Sequence, residues 1–375
     1  MRRAALVASA LLAFVSLLGC KKGDRKGEGA PRPATAVASV SGDPAAPGTP
    51  RIGMAWVPSG TLVAGTLPEK TPRVPDEEMP GVPIEMGGFY IDLLPWPNEP
   101  NAIATTSVTR DEAQALCAGK GKRLCSELEW ERACKGPTST TYEYGDVYRK
   151  DVCETGEAPE QAARRPAGEH ATCKSGFGVS EMHGGVFEWT SSSWGRGSKD
   201  GAQGVLRGGN AVVGELVGRC SNAIARAPGK KSTTMGFRCC AGPANDAEVK
   251  LELTGTPGLV LGAASYGAPL TNALSVVVGN TVDAKLTHAW RWVPSANEEL
   301  IVTTGCSIAP RACGLVVGRG NKVLATVPTN SDPGELTRGA DTRHLRVRSL
   351  DSRGVLTHDI AYVYGRVDVS EAKRP

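Results

Sequence analysis

Eleven cysteines pose the first chemical choice in this 375-residue chain: Cys20 near the start and, after it, Cys117, Cys125, Cys134, Cys153, Cys173, Cys220, Cys239, Cys240, Cys306 and Cys313. Thiols bind soft metals, act as nucleophiles or cross-link a fold. Zinc draws on CxxC-type pairs or clustered Cys and His. No CxxC occurs after Cys20, and the five histidines (His170, His183, His288, His344 and His358) are scattered. The even count after Cys20, in an exported chain, reads instead as up to five disulfides. Cys306 and Cys313 are expected to close a small loop together.

Export is read from the first twenty residues. Arg2 and Arg3 precede a mostly apolar run from Ala4 to Leu18. That run is short of the ~20 residues a bilayer demands, and it has the layout of a secretory signal. Leu17-Leu18-Gly19-Cys20 resembles the lipobox of bacterial lipoproteins, whose Cys becomes the lipid-bearing first residue of the mature chain. The resemblance implies a signal peptide over 1–19, lipidation of Cys20, and anchorage in the cell envelope, at the outer membrane or the periplasmic face. Disulfides persist there. Lys21 after Cys20 resembles signals that permit sorting to an outer membrane. Residues 20–51 read as a disordered, lipid-anchored tether, because Lys21–Pro50 is rich in Gly, Pro, Ala and charge.

A net charge of +4 with 22% charged residues, and no basic stripe, argues against nucleic acid as a partner. With 46 glycines and 26 prolines the chain should be loop-rich and globular. Met54–Val57 and Phe89–Asp92 read as strands. Thr109 with Glu112, and Ser126 with Glu129, form capping boxes that start two helices. Trp130 and Cys134 share a face of the second helix, and Trp130 is expected in the core. Gly136 to Pro243 reads as irregular. After Ala244 come β-type runs separated by turn residues: Val249–Leu253, Leu274–Val278, Leu300–Thr303, Leu315–Val317, His344–Val347 and Ala361–Tyr364. They predict a smaller all-β domain over 244–375, a sandwich or barrel. It shows no catalytic constellation, so its reading is a structural or adhesive module.

Four segments then stand out in order: Gly121–Glu131 (GKRLCSELEWE), Val179–Thr190 (VSEMHGGVFEWT), Leu206–Asn210 (LRGGN) and Gly236–Cys239 (GFRC). Together they resemble the sulfatase-modifying-factor domain of formylglycine-generating enzymes, whose members read GKRLPTEAEWE, GNVWEW, RGGS and GFRC. The resemblance covers residues 52–243. It implies an α+β fold of the C-type lectin kind, rich in irregular structure and stapled by disulfides. It also implies Cys117 paired with Cys239, and Cys134 with Cys220. Cys125 and Cys240 lie beside the first pair and are assigned to each other. Cys153 and Cys173, in the loops between, form the fourth bridge.

Family enzymes hold copper with two reactive cysteines shortly after RGGS, as suits soft Cu(I). The corresponding positions are Val213 and, after a short deletion, Glu215. Neither is Cys, and Cys220 is assigned to a bridge, so no catalytic residue and no copper is expected. Iron-dependent ergothioneine-type synthases also carry this domain, with iron ligands in a further histidine-rich domain that this chain does not show. The resemblance implies Ca²⁺ at the GNVWEW turn, held by Glu181, Gly184, Val186 and Glu188; several oxygens in a flexible cage suit that ion. A competing reading has Glu188 hydrogen-bonded within the loop core. Trp194, Arg207 and Asn210 would flank the family's groove, against an ordinary role as core and rim residues. The expected function is a lipid-anchored binding or scaffolding module for a peptide, glycan or envelope protein. The alternative is an oxidoreductase of the formylglycine-generating class acting on protein cysteines.

Overall fold

The computed structural model of the chain describes residues 50–159, 162–196, 202–249, 251, 258–261, 264, 266–329, 335–339, 341–351 and 354–371. Cys20 and the tether up to residue 49 lie outside them.

Among the described residues the first half has ten strands and two helices: β1 (Met54–Val57), β2 (Gly60–Gly65), β3 (Pro80–Met86), β4 (Phe89–Asp92), α1 (Arg110–Ala118), β5 (Arg123–Leu124), α2 (Glu127–Lys135), β6 (Phe187–Ser193), β7 (Gly204–Gly208), β8 (Ala223–Arg226), β9 (Met235–Phe237) and β10 (Cys239–Ala241). They form one sheet in the order β1-β4-β10-β5, a second in the order β8-β7-β6-β9, and the hairpin β2-β3. Both helices start at the capping boxes read from sequence. Thr109 Oγ1 accepts from Glu112 N at 3.2 Å while Glu112 Oε2 accepts from Thr109 N at 2.8 Å. Ser126 and Glu129 repeat the arrangement. Two backbone donors without helical partners are thereby satisfied at each start.

The stretch Gly136–Pro243 is less irregular than its sequence suggests, since it contributes β6 to β10. Those strands are three to seven residues long. Every residue of β7, β9 and β10 is buried, so no polar-apolar alternation marks them.

The five disulfides join Cys117–Cys239, Cys125–Cys240, Cys134–Cys220, Cys153–Cys173 and Cys306–Cys313. Neighbouring cysteines of β10 point to opposite faces of its sheet. Cys239 therefore enters the core beside α1 with Cys117, Trp189 and Phe237, and Cys240 enters the core with Cys125, Trp130 and Ile91. One strand staples two cores.

In the second half, β11 (Gly258–Leu261), β12 (His288–Ser295), β13 (Glu298–Cys306), β14 (Cys313–Arg319) and β15 (Lys322–Thr329) form a meander. β16 (Glu335–Arg338), β17 (His344–Asp351), β18 (Gly354–Val363) and β19 (Arg366–Glu371) form another. Trp292, Leu300, Val302 and Leu315 from the first meet Leu345, Val347, Ile360 and Tyr362 from the second in one core, so two sheets face each other.

This half is not all-β. Leu274–Val278, expected as a strand, belongs to helix α3 (Ala268–Val278). Pro269 sits at its start, Gly279 closes it in a left-handed conformation, and Leu270, Leu274 and Val278 make its buried stripe at helical spacing. Three strand glycines admit the helix: a Cβ at Gly305, Gly314 or Gly318 would lie within 2.8 Å of Leu274, Val277 or Leu270 side chains. Of the other expected strand at Val249–Leu253, Val249 and Leu251 are outside any strand, and the rest lies outside the described residues.

A buried ionic cluster joins the halves. Glu298 takes Arg73 Nη1 at 2.8 Å, Arg319 Nε at 2.6 Å and the Tyr362 hydroxyl at 2.7 Å. Burial and the charge of Glu298 push the Tyr362 hydroxyl up, which keeps it protonated and donating. Arg319 also donates to Pro68 O and Asn297 to Pro75 O, so the loop after β2 is clasped from the second half.

Candidate functional site

The four motif segments converge on α2. Strand pairing sets Glu188 of β6 opposite Arg207 of β7 on one side and Gly236 of β9 on the other. Every residue of α2 is buried, including Glu127, Glu129, Glu131, Arg132 and Lys135. Buried charge is costly unless paired, and here each has a partner. Glu127 and Glu131, one turn apart, both accept from Arg207 Nη2 at 2.9 Å. Arg207 Nη1 reaches the carbonyls of Cys220 and Asn222. Lys135 and the Gly65 amide complete Glu131 at 2.7 and 2.6 Å. Burial pushes the Glu131 carboxyl up, but Lys135 and Arg207 outweigh it and hold the pKa below its ordinary value. Glu129 takes both amino groups of Arg123 at 2.7 Å.

Glu188 belongs to the same lattice. Arg238 of the GFRC segment grips its carboxylate with two bonds, at 2.7 and 2.8 Å, and Trp130 Nε1 donates a third at 2.7 Å. Burial opposes the Arg238 cation, yet Glu188 more than offsets it and the guanidinium pKa is raised. The remaining Arg238 donors reach the carbonyls of Asp92, Leu93, Ser180 and Glu181.

These bonds correct the calcium expectation. The charge of Glu188 is already neutralised by the Arg238 guanidinium. Glu181, at a positive φ of 52°, turns its Oε1 onto the amides of Gly168 and His170, and its carbonyl onto Arg238. Gly184 donates its amide to Gly209 O, and Val186 is buried. The two carboxylates are committed to different donors, Glu188 to Arg238 and Trp130 and Glu181 to the amides of Gly168 and His170, so they do not converge as a calcium cage. The competing reading, Glu188 hydrogen-bonded within the core, is the one the geometry follows.

The expected groove anchors are corrected as well. Arg207 is fully buried, so it has no face to offer a ligand. Trp194 is buried against Val205 and Ala223, donates to Arg196 O and stacks under the Arg196 guanidinium at 4.7 Å. Asn210 is half-buried at the bend after β7, where its carbonyl accepts from Val213 N. Gly208 and Gly209 make that bend. Their φ values are +82° and +152°, and a Cβ would come within 2.5 Å of Met182 O and of Val213.

The segment after the bend forms one wall of a cleft of about 540 Å³. The other walls are the loop after β2 (Thr66 to Pro72) and the segment Ser139 to Tyr142. Glu215 is exposed and lines it; Val213 is half-buried against Gly209. Lys135 and Arg219 also line it, but their charges go to Glu131 and Glu78. What the cleft offers is mainly hydroxyls and backbone groups, with Glu69, Lys70, Asp146 and Glu215 at its exposed edge. The donor set does not fit copper: the two thiol positions hold Val213 and Glu215, and Cys220 is bonded to Cys134. Sequence reasoning missed the loop after β2 as a wall, since nothing local in Thr66–Pro72 points to residue 215. His170 and His183, distant in sequence, line a second cavity of about 30 Å³ with Glu154 and Glu181.

Residues 97–242 match the profile of the sulfatase-modifying factor enzyme 1-like domain. Formylglycine-generating enzyme of Bos taurus is 26% identical over 162 residues, covering 36% of this chain and 42% of that protein. Inactive C-alpha-formylglycine-generating enzyme 2 of Bos taurus is 27% identical over 150 residues, covering 36% and 49%. The chain thus spans less than half the length of both relatives. The structure of PvdO from Pseudomonas aeruginosa superposes with a TM-score of 0.42 at 19% identity, over 50% of this chain and 93% of that one. Over residues 97–242 the chain therefore carries a domain similar to sulfatase-modifying factor enzyme 1.

Proposed function

We propose that the chain is a lipid-anchored envelope protein whose sulfatase-modifying-factor-like domain, a fold of the C-type lectin kind, binds a peptide, glycan or envelope protein in the cleft beside Glu215. The observation that carries this reading is the cleft wall itself. Val213 and Glu215 stand where the family's reactive thiols would be, and the adjoining Cys220 is held in a disulfide. The wall presents hydroxyl and amide groups, which suit the neutral polar groups of peptides and sugars. The second half supports the site by clasping the loop after β2 through Arg319 and Glu298. The likeness to relatives named as active and as inactive is nearly equal, so identity alone does not choose. The alternative, formylglycine generation, is tested directly. Purified protein is incubated with a sulfatase-motif peptide, copper and oxygen, and the peptide is weighed by mass spectrometry. We expect no loss of the thiol; conversion that persists in Cys220→Ser sinks the binding reading. Anchorage is tested by metabolic labelling with a fatty acid, which should fail in Cys20→Ala.

A further inference from the structure

Away from the cleft, three loops bring together the side chains of Glu143, Cys153, Cys173 and His183, all buried. Glu143 Oε1 lies 3.1 Å from Cys153 Sγ and 2.9 Å from Cys173 Sγ, and the three ligand atoms are mutually close enough to share one ion. The carboxylate is fixed from behind: Met182 N donates to Oε2 at 3.0 Å, and His183 N and Nδ1 lie 3.2 and 3.4 Å from Oε1. His183 Nε2 is buried without a partner, and its ring meets Trp130 edge-on at 5.6 Å. The backbone is shaped for this meeting. Gly184 has a φ of +88°, and a Cβ there would strike the carbonyl of Cys153 at 1.8 Å.

A disulfide sulfur has no proton to donate, so Glu143 gains nothing from either close contact while the bridge is intact. Two thiols, or two thiolates around a cation, would use the same oxygen. We propose that Cys153 and Cys173 form a redox-gated zinc site with Glu143, positioned by His183. A dithiol reductant supplies two electrons and two protons; the S–S bond breaks, both sulfurs become thiols and the reductant becomes a disulfide. Zinc then displaces both protons to solvent and forms two Zn–S bonds, with Glu143 Oε1 as a third ligand. Two thiolates and a carboxylate suit this ion, and a hydrogen bond from a neighbour to the ligating group is what fixes such ligands in place. A disulfide oxidant that accepts two electrons from the two thiolates and is itself reduced to a dithiol, taking two protons from solvent, would re-form the S–S bond and release Zn²⁺.

Cobalt(II) reports on the site, because thiolate ligands give it a near-ultraviolet charge-transfer band. The full chain is treated anaerobically with dithiothreitol, freed of reductant and titrated with cobalt, then with zinc. Alkylation with mass spectrometry reads which cysteines are free. We expect alkylation to open at Cys153 and Cys173, one equivalent of cobalt with the thiolate band in the reduced chain, none in the oxidised chain, and displacement by zinc. Cys153→Ala/Cys173→Ala should abolish the band. Glu143→Gln, which keeps both thiols, should bind at least tenfold more weakly. An unchanged band in the double variant, parental affinity in Glu143→Gln, or a bridge that the dithiol leaves intact would each overturn the proposal.

Discussion

The two bridges on β10 should not stabilise the protein additively. Cys117–Cys239 closes a loop of 122 residues and Cys125–Cys240 one of 115, and the loops nearly coincide. With either bridge in place, the other closes only a ring of about nine residues, from Cys117 to Cys125 and from Cys239 to Cys240. The Cys134–Cys220 bridge lies inside both loops and short-cuts 86 residues of each, so the long ring is effectively about 30–37 residues. Loop-closure entropy assigns about 3.7 kcal/mol to it and about 2.5 kcal/mol to the small ring at 25 °C. Removing one bridge as a Cys→Ala pair should therefore cost about 2.5 kcal/mol, whichever is removed, and removing both about 6.2 kcal/mol. The excess over additivity is about 1.2 kcal/mol, above the few tenths that independent sites show. The side-chain volume lost at four buried positions enters the single and double variants alike, so it cancels in the cycle. Equilibrium urea unfolding of the four proteins, extrapolated linearly to water, measures each term. A double variant whose cost equals the sum of the singles would refute the argument. It would mean that the bridges act through local native packing in the two separate cores they enter.

Two further outcomes follow from the buried charges. Arg238→Met leaves Glu188 charged, buried and short of two bonds, so unfolding free energy should drop by about 3–5 kcal/mol in urea titration; a loss below about 1 kcal/mol would show the pair to be dispensable. Burial pushes the Asp92 carboxyl above its ordinary 3.8, more than Lys122 pulls it down. The folded protein then keeps this proton at a pH where the unfolded chain has lost it. The Asp92 contribution to stability is thus present below that ordinary value and lost as pH rises through the folded one. The stability of Asp92→Asn relative to the parent should rise as pH climbs from below to above the ordinary carboxylate value of about 4, and a flat or falling difference would reverse the sign assigned here.

Sequence revealed what short-range chemistry decides. The capping boxes at Thr109 and Ser126 are complete within four residues, and both helices begin there. Met54–Val57 and Phe89–Asp92 are strands, and Trp130 is core, because apolar runs between turn residues have few other uses. The five bridges follow the pairing implied by the family resemblance and by proximity, not by spacing. What stayed hidden was set at long range. The short strands β7, β9 and β10 exist because they pair with distant partners. Leu274–Val278 shows the opposite failure: a valine-rich run looks like a strand, but Pro269 and Gly279 bracket a helix whose stripe needs the glycines of β13 and β14 opposite it. The expected anchors Arg207 and Trp194 failed for a related reason. Arginine and tryptophan are common both at interfaces and under them, and only the positions of Glu127, Glu131 and Arg196 decide which.

The motif residues have little bonding capacity left. Arg238 has all three guanidinium nitrogens engaged, Glu188 accepts three bonds, and Arg207 Nη1 and Nη2 meet two carbonyls and two carboxylates. A group so committed would have to surrender a buried ionic bond before touching a substrate, a cost of several kcal/mol that a ligand would need to exceed. The segments that resemble an enzyme therefore fix the frame: α2 against β6 and β7, and β10 against β4. Chemistry in such a frame depends on residues the frame leaves unpaired at the cleft; there position 215 is a glutamate, and position 213, half-buried against Gly209 beside the cleft, is a valine. Placing cysteines there, as Val213→Cys/Glu215→Cys, would leave the ion lattice untouched and separate the two requirements. If Cu(I) binding appears in that double variant and is absent from the parent, the frame is competent and the thiol pair alone is lacking; if the variant folds with unchanged stability and binds no copper, the shorter loop between Asn210 and Cys220 is itself what forbids the site.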